Sequence, residues 1–482
     1  MISRRSLLKA SAIGAAWDAI PFSTWIEQQA WGQSPRVRYN AYSTQGKAML
    51  QKYESAVQRM MNASLYPEAN PLSWTFQWYT HWVKEPPGMA SELSRIYPQP
   101  NAPYRSLAQA MWETCQAHGG ENEDFFLPWH RMYVYYFEQI VRLISYEPSF
   151  TLPYWNYSNP AQAAMPPEFL VTSSALYRQT RNPGPNAGNA IPANLVALTA
   201  LQDKTYSPSG ASQGFCADLD FGLHGNVHVW VGTASQGMGT VPWAANDPIF
   251  WMHHCNIDRL WASWNKGNCK NPTYTAWLNQ QFTFADIGGN KVVATVKDFN
   301  DISQLGYTYD AFEAASCPRI IVHINPAVLA VIASEIKVER TPVRLNLTPP
   351  PKPKARAAVR PVPEQIKALA PEKSVYLVLQ NVHASAAPGV HYDVYLDLPE
   401  GAKPSQDSPN YVGTINFFGV TMMNDKMASM KPRTFSLDVT DKVKALAARG
   451  ELTNTPSVTL VPQGEPNEAA KPTIGQIQLV SQ

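Results

Sequence analysis

Two short segments of the chain each carry a phenylalanine and, four residues later, a histidine. The first pairs Phe126 with His130, and the second pairs Phe250 with His254. Side chains four residues apart lie on one face of a helix, so each aromatic ring is expected beside its imidazole. In the second segment, Asp247 followed by proline is typical of a helix start. Two such segments indicate two similar half-sites in a helical core.

Further histidines complete two groups of three. His224 and His228 are four residues apart, a spacing that puts both imidazoles on one helix face, where they can hold one metal. Gly225 stands where a zinc protease needs glutamate, which excludes that class. His81 and His118 lie upstream and join the first segment. The other histidines without partners are interpreted as structural: His323, His383 and His391.

The donor set restricts the metal. Six imidazoles without a carboxylate ligand disfavour magnesium, calcium and iron of the carboxylate-bound type. Zinc enzymes usually hold one metal through three ligands and a water. Two adjacent sets of three histidines therefore favour a pair of copper ions that binds O2 between them.

Composition excludes several other classes. Hydrophobic residues make up 45% of the chain and charged residues 16%, which is typical of a globular protein. No basic stripe suggests nucleic acid as a partner, and no apolar run of about 20 residues suggests a membrane span. Five cysteines are an odd number, so at least one has no disulfide partner in the chain. Their pairing and the oligomeric state stay open.

The chain divides by composition into four parts. Arg4 and Arg5 precede a mildly apolar stretch, which predicts a twin-arginine signal and a periplasmic or secreted protein. A proline-rich basic stretch later in the chain predicts a linker, because repeated proline forces extended backbone. The predicted parts are the signal at 1–33, a mainly α domain with trailing strands at 34–345, the linker at 346–373 and a small β-sandwich at 374–482.

Period-2 apolar runs support the strand predictions. The predicted strands are Lys291–Val296, Arg319–Ile324, Val375–Leu379, Val394–Leu398, Phe435–Val439, Val458–Val461 and Ile474–Val480.

The histidine segments resemble the two copper helices of the tyrosinase and polyphenol oxidase family of type-3 copper proteins. The likeness continues in Trp277–Phe284 and Leu305–Asp310, which are similar to plant-type members, and in Tyr411–Phe417, which is similar to their C-terminal domain. The resemblance implies a four-helix bundle that holds two coppers. The implied ligands are His81, His118 and His130 for Cu A, and His224, His228 and His254 for Cu B.

The resemblance also implies the reaction. Family members use O2 to oxidise o-diphenols to o-quinones, and some hydroxylate monophenols at the ortho position, so small phenols are the expected substrates. Many plant members have phenylalanine over the second copper where this chain has Val241, which favours access for monophenols. The asparagine linked to hydroxylation is absent, since Gly225 and Val229 follow the ligands. Diphenol oxidation is therefore the main prediction.

Supporting residues follow from the same resemblance. His253 is expected to support the site from beside His254, Asn256 and Asp258 to orient the site, and Asp220 to stand in for an acidic residue that holds a water. Many members bond a cysteine to the second Cu A histidine. Cys115 lies three residues before His118, so a thioether and an ordinary buried cysteine remain alternatives.

The family's C-terminal domain shields the copper entrance until it is cleaved. A cut near Lys354–Arg360 is therefore predicted to raise activity, and the candidates for the shielding side chain are Phe417, Phe418 and Met422. The alternatives are an o-aminophenol oxidase on the same coppers, an oxygen carrier of the haemocyanin kind, and a metal-free carbohydrate-binding or adhesion protein.

Overall fold

The computed structural model describes residues 34–84, 86–116, 123–315, 317, 326–338, 340–350, 360–420 and 433–482. The predicted export signal at 1–33, the predicted strand Arg319–Ile324 and His323 lie outside these residues. Among the helices that are described, none combines the length and the apolar character that a membrane span requires.

Helices dominate the first two thirds of the chain, as predicted. They are α1 Thr44–Met60, α2 Trp74–His81, α3 Met89–Ile96, α4 Arg105–Met111, α5 Phe126–Ile144, α6 Pro183–Asn186, α7 Gly214–Leu219, α8 Gly225–Val231, α9 Val241–Ala244, α10 Ile249–Lys266, α11 Thr275–Leu278, α12 Val296–Phe299, α13 Val362–Lys367 and α14 Thr440–Arg449. A π-helical turn, Asp220–His224, leads into α8.

Local chemistry explains where the helices that carry histidines begin. The Ser73 hydroxyl accepts from the backbone N–H of Phe76 and caps α2. The Asp247 carboxylate accepts from the N–H of Ile249 at 3.1 Å, so it caps α10 as the sequence predicts. Helices α5 and α10 pack against each other at the centre of the domain, and this contact brings their histidines together.

The strands are β1 Arg36–Arg38, β2 Gln281–Ala285, β3 Lys291–Thr295, β4 Tyr307–Tyr309, β5 Ala327–Ile332, β6 Ile336–Lys337, β7 Val343–Asn346, β8 Val375–His383, β9 Tyr392–Leu396, β10 Tyr411–Ile415, β11 Arg433–Asp438, β12 Ser457–Pro462 and β13 Thr473–Ser481. In the helical domain, β1 and β4 pair in parallel, and β2 and β3 form a hairpin.

The later strands form a β-sandwich, which confirms the predicted fold class of a mainly α domain followed by a small β domain. One sheet has the order β10-β9-β12-β7, and the other has the order β11-β8-β13-β5, with β6 also on β13. Apolar side chains such as Leu377 and Val394 are fully buried in one core between the sheets.

The boundary predicted at residue 345 needs correction. Strands β5 and β7 precede the proline-rich stretch, yet they pair with β13 and β12, which follow it. The sandwich therefore begins no later than β5, because its sheets contain strands from both sides of the proline-rich stretch. Part of the predicted linker is also folded: Val362 and Ile366, four residues apart on α13, bury one helix face in the sandwich core.

Cysteine pairing is also settled for two residues. Cys269, just after α10, forms a disulfide with Cys317. The other three cysteines are buried and take no part in this disulfide: Cys115, Cys216 and Cys255.

Candidate metal centre

Five of the six predicted copper ligands lie in the described residues, and their imidazoles converge. The ring centroids of His130 and His254 are 4.3 Å apart and stacked at 9°. Those of His224 and His228 are 4.5 Å apart, and His224 lies 5.0 Å from His254. His81 lies 5.8 Å from His130. The sixth predicted ligand, His118, lies outside the described residues.

Possible ligand atoms group in two places. In one group, one ligand atom each from His224, His228, His253 and His254 lies within 4.8 Å of the others. In the second, the same holds for His81, Cys115 and His130. All seven side chains are buried. The structure thus places two sets of donors side by side.

Two phenylalanines lie between these sets. The Phe126 ring is 4.7 Å from the ring of His130 and also 4.7 Å from that of His224. The Phe250 ring is 4.1 Å from His254 and 5.0 Å from His81. Each ring therefore touches its own histidine and one of the other set, which holds the two sets at a fixed distance.

Backbone carbonyls orient three imidazoles. The Nδ1–H of His130 donates to the Phe126 carbonyl at 2.8 Å, and that of His228 donates to the Met238 carbonyl at 2.7 Å. The Nδ1–H of His224 lies 3.0 Å from the Asp220 carbonyl oxygen and 2.9 Å from its carboxylate. Since these oxygens accept, Nδ1 carries the proton and Nε2 keeps its lone pair for a metal.

Asp220 thus acts as an orienting group for His224, a role that sequence reasoning gave to other residues. Its predicted role in holding a water stays a prediction. The carbonyl acceptors were missed because a backbone carbonyl leaves no mark in the sequence.

Asn256 and Asp258 make different contacts from those predicted. The Asp258 carboxylate accepts from Arg131, Arg38 and both Tyr307 and Tyr309, at 2.5–3.0 Å. Burial alone raises its pKa, but the two arginines outweigh burial and hold that pKa below its usual value.

The Asn256 side-chain oxygen accepts from Arg259 at 2.9 Å. Asp258 therefore ties α10 to β1 and α5 through arginines, whereas Asn256 binds an arginine of its own helix, and neither residue has an imidazole among the hydrogen-bond partners observed for its oxygens.

The donor chemistry fits copper. His254 is 1% exposed, and neither of its ring nitrogens has a hydrogen-bond partner within the part of the chain that the structure describes. Burial and the neighbouring imidazoles lower its pKa well below the usual value, so the ring stays neutral, as a metal ligand must be. Imidazole and sulfur donors without carboxylates suit copper.

His253 lies beside His254 as predicted. Its ring stacks on that of His224 at 5.2 Å and 10°, and its Nδ1 lies 3.0 Å from the Tyr157 hydroxyl. It therefore packs face to face on a predicted Cu B ligand.

The C-terminal domain covers the set of histidines that contains His224 and His228. The Phe418 ring stacks on His228 at 4.1 Å and 15°, and it meets His224 edge-on at 5.7 Å. Phe418 is 2% exposed. Phe417 instead packs against Tyr392 in the sandwich core, and Met422 lies outside the described residues. Of the two candidates that the structure describes, Phe418 is therefore the side chain over the site.

Hydrogen bonds hold the domain in this position. The Asn416 amide donates to the Phe221 carbonyl at 2.6 Å and to the Asn226 side-chain oxygen at 2.9 Å. His391, interpreted from the sequence as structural, lies with Nε2 3.0 Å from the Asn226 carbonyl, and burial lowers its pKa to about 4. It therefore donates as a neutral ring at the interface.

The three predicted pocket residues lie in different surroundings. A Cβ on Gly225 would lie 2.7 Å from the Asn416 side-chain oxygen, so glycine is required for this close approach. Val229 lines a narrow crevice together with Phe417 and Phe418. Val241 is buried at the start of α9, and none of its observed contacts places it at the histidines.

A pair of carboxylates lies near another part of the interface. The Gln213 side chain donates to Asp218 at 3.2 Å and accepts from the backbone N–H of Ser436 in the sandwich at 2.9 Å. Burial raises the pKa of Asp218 to about 6. Burial and the neighbouring Asp218 carboxylate raise the pKa of Asp203.

Comparison with known proteins identifies the family. A family model described as the common central domain of tyrosinase matches residues 71–204 and 177–267, the region that holds all six predicted ligands. A polyphenol oxidase middle domain matches residues 271–319. The chain belongs to the tyrosinase and polyphenol oxidase family. It is an oxidoreductase of this type, with two copper ions as cofactors and O2 as co-substrate. A domain of unknown function matches residues 326–482.

Relatives within the family differ in length. A tyrosinase of Hahella sp. strain CCB-MM4 is 28% identical over 490 residues, which cover 93% of this chain and 99% of that protein. A latent chloroplastic polyphenol oxidase of Prunus armeniaca is 28% identical over 393 residues, or 70% of this chain and 62% of the plant protein. The chain thus spans the Hahella relative but less than two thirds of the plant one.

Solved structures share the fold. Latent apple tyrosinase matches with a TM-score of 0.61 and 21% identity, over 94% of this chain and 98% of that one. Recombinant latent aurone synthase matches with a TM-score of 0.62 and 21% identity, over 93% and 89%. A functional unit of octopus haemocyanin has a TM-score of 0.51 and 15% identity, over 92% and 99%.

Proposed function

We propose that the enzyme oxidises o-diphenols to o-quinones with O2, two diphenols and one O2 giving two quinones and two waters. The observation that carries the proposal is the meeting of two buried imidazole sets, His81 with His130 and His224, His228 with His254. The two coppers supply O2 binding and electron transfer. The chain's own residues hold the ligands neutral, fix their tautomers and exclude water from the site.

The side chain that occupies the site supports the proposal that the substrate is aromatic. A planar ring, that of Phe418, stacks on His228 at 4.1 Å. A phenol ring that replaces it meets the same imidazole face and the same apolar wall from Val229. Small planar phenols are therefore the proposed substrate class.

Ortho-hydroxylation of monophenols is the second candidate activity. Gly225 and Val229 present little bulk beside the Cu B histidines, which favours entry of a ring without an ortho hydroxyl. The o-aminophenol oxidase alternative uses the same site. Copper-replete enzyme is assayed by O2 uptake and product spectra with catechol, tyramine and o-aminophenol. Catechol turnover without tyramine turnover would remove hydroxylation, and faster turnover of o-aminophenol would favour the alternative.

We also propose that the C-terminal domain keeps the enzyme latent. Phe418 fills the space over His228, and Asn416 anchors the domain to α8. Insertion of a specific protease site between Cys317 and Ala327, in the segment of chain that joins the helical domain to β5, allows release of the whole domain. Catechol oxidation is expected to rise after this cut and separation of the fragments. Equal activity before and after verified release would overturn the latency proposal.

Simple measurements distinguish the proposed enzyme from two other classes of protein. An oxygen carrier binds O2 reversibly on the same fold without forming quinone, whereas the proposed enzyme consumes O2 continuously with catechol. A metal-free adhesion protein contains no copper, so two coppers per chain exclude it. Export by the twin-arginine route is proposed from Arg4 and Arg5, and replacement of both by lysine is expected to leave the protein in the cytoplasm.

A further inference from the structure

The Cu A side contains a sulfur donor as well as imidazoles. The Sγ atom of Cys115 lies 3.5 Å from Nε2 of His130. Ligand atoms of His81, Cys115 and His130 lie within 4.8 Å of one another, a separation that one metal ion can span. Cys115 is 7% exposed and the two histidines are 1% and 2% exposed. The sulfur is thus as much a part of this cluster as either imidazole.

The position of Cys115 is fixed by backbone pairing with α2. The N–H of Glu113 donates to the Tyr79 carbonyl at 3.1 Å, and the N–H of Thr114 donates to the Thr80 carbonyl at 3.3 Å. Glu113 has a φ of 55°, which turns the chain at this point. Cys115 is two residues further on, and a ligand atom of His81, the last residue of α2, lies within 4.8 Å of its sulfur.

The tautomer of His130 directs its lone pair into the same cluster. Its Nδ1–H donates to the Phe126 carbonyl, so Nε2, the atom 3.5 Å from the sulfur, is free of a proton. Thiolate is a soft donor that favours Cu(I) over the divalent metals of hard oxygen sites. The cluster is therefore suited to the reduced metal, the form in which sulfur binds copper best.

We propose that Cys115 is a copper ligand, and that its thiolate joins His81 and His130 in binding Cu(I) when the Cu A site is loaded. Binding forms one Cu–S bond and releases the thiol proton to solvent, with no change in oxidation state. This inference rests on the proposed copper function of the same site. It differs from a thioether, in which the sulfur is bonded to carbon and the protein has lost two hydrogens.

The first test uses the full-length wild-type protein. Purified apoprotein is reduced, loaded anaerobically with two equivalents of Cu(I), and studied by X-ray absorption. A Cu–S scattering path on about half of the copper is expected. Intact mass measured on the same sample distinguishes a free thiol from a thioether. A mass lower by two hydrogens, or a spectrum with nitrogen scattering alone, overturns the proposal.

The second test compares variants. Competition with a chromophoric Cu(I) chelator is expected to show at least about tenfold weaker binding at one of two sites in Cys115→Ser. Cys216→Ser, which changes a buried cysteine outside the cluster, serves as the control and should bind as wild type. Unchanged affinity in Cys115→Ser overturns the inference. Failure of wild type to bind two coppers at all overturns the proposed function instead.

Discussion

Truncation of Phe418 to alanine tests how the sandwich blocks the site. The side chain is 2% exposed and stacks on His228. Loss of a buried phenylalanine costs about 3 kcal/mol or more, and each 1.4 kcal/mol is a factor of ten, so docking weakens by about 100-fold. The change also removes the ring from the space over the imidazole. Uncleaved Phe418→Ala is therefore expected to oxidise catechol up to about 100-fold faster than uncleaved wild type.

The assay is O2 uptake with catechol, on protein whose copper content has been measured. Phe417→Leu is the matched control, because Phe417 packs against Tyr392 inside the sandwich and leaves the space over His228 filled. It should lower the unfolding temperature of the domain without raising activity. If copper-replete Phe418→Ala stays as inactive as wild type, the ring does not block the site and the reasoning is wrong.

Three further outcomes are expected. The strand pairing reverses the cleavage prediction made from the sequence. A single cut within Lys354–Arg360 should leave activity unchanged and the fragments co-eluting in size exclusion, since β5 and β7 stay paired to β13 and β12; a rise in activity would refute this. The raised pKa values of Asp203 and Asp218 mean that the folded chain favours their protonated forms. The stabilisation from Asp218 is complete below about pH 4 and is lost as pH rises through its folded pKa of about 6, and the stabilisation from Asp203 is lost in the same direction. The free energy of unfolding in urea should show this loss, and Asp218→Asn should reduce it. Asp258→Ala leaves buried arginines without their carboxylate and should cost about 3–5 kcal/mol in unfolding free energy, whereas a change under 1 kcal/mol would contradict the ion network.

The sequence allowed prediction of what depends on short-range spacing. The histidines at positions 224 and 228, the phenylalanines four residues before His130 and His254, and the capped start of α10 all follow from helical geometry. Each of the predicted sandwich strands beyond residue 374 is present, because alternation of apolar residues marks a strand with one buried face.

Contacts between residues far apart in the chain could not be predicted from local spacing. The pattern of apolar residues along β5 does not indicate that it pairs with β13 across the proline-rich stretch, because strand pairing depends on the whole sheet. The choice of Phe418 over Phe417 depends on which of two adjacent rings turns toward the helical domain. Asp258 was assigned to the imidazoles because it lies near His254 in sequence, whereas the arginines that it binds come from distant elements.

The parallel pairing of β1 with β4 sets a limit on maturation. Arg38, at the end of β1, is fully buried and donates to Glu138, Asp258 and Tyr309. A peptidase that trims the chain beyond Arg36 would remove a strand from its sheet and an arginine from the carboxylates that it neutralises. A peptidase can therefore cut only before Arg36 without damage to the fold. N-terminal sequencing of the exported protein should find that its first residue precedes Arg36.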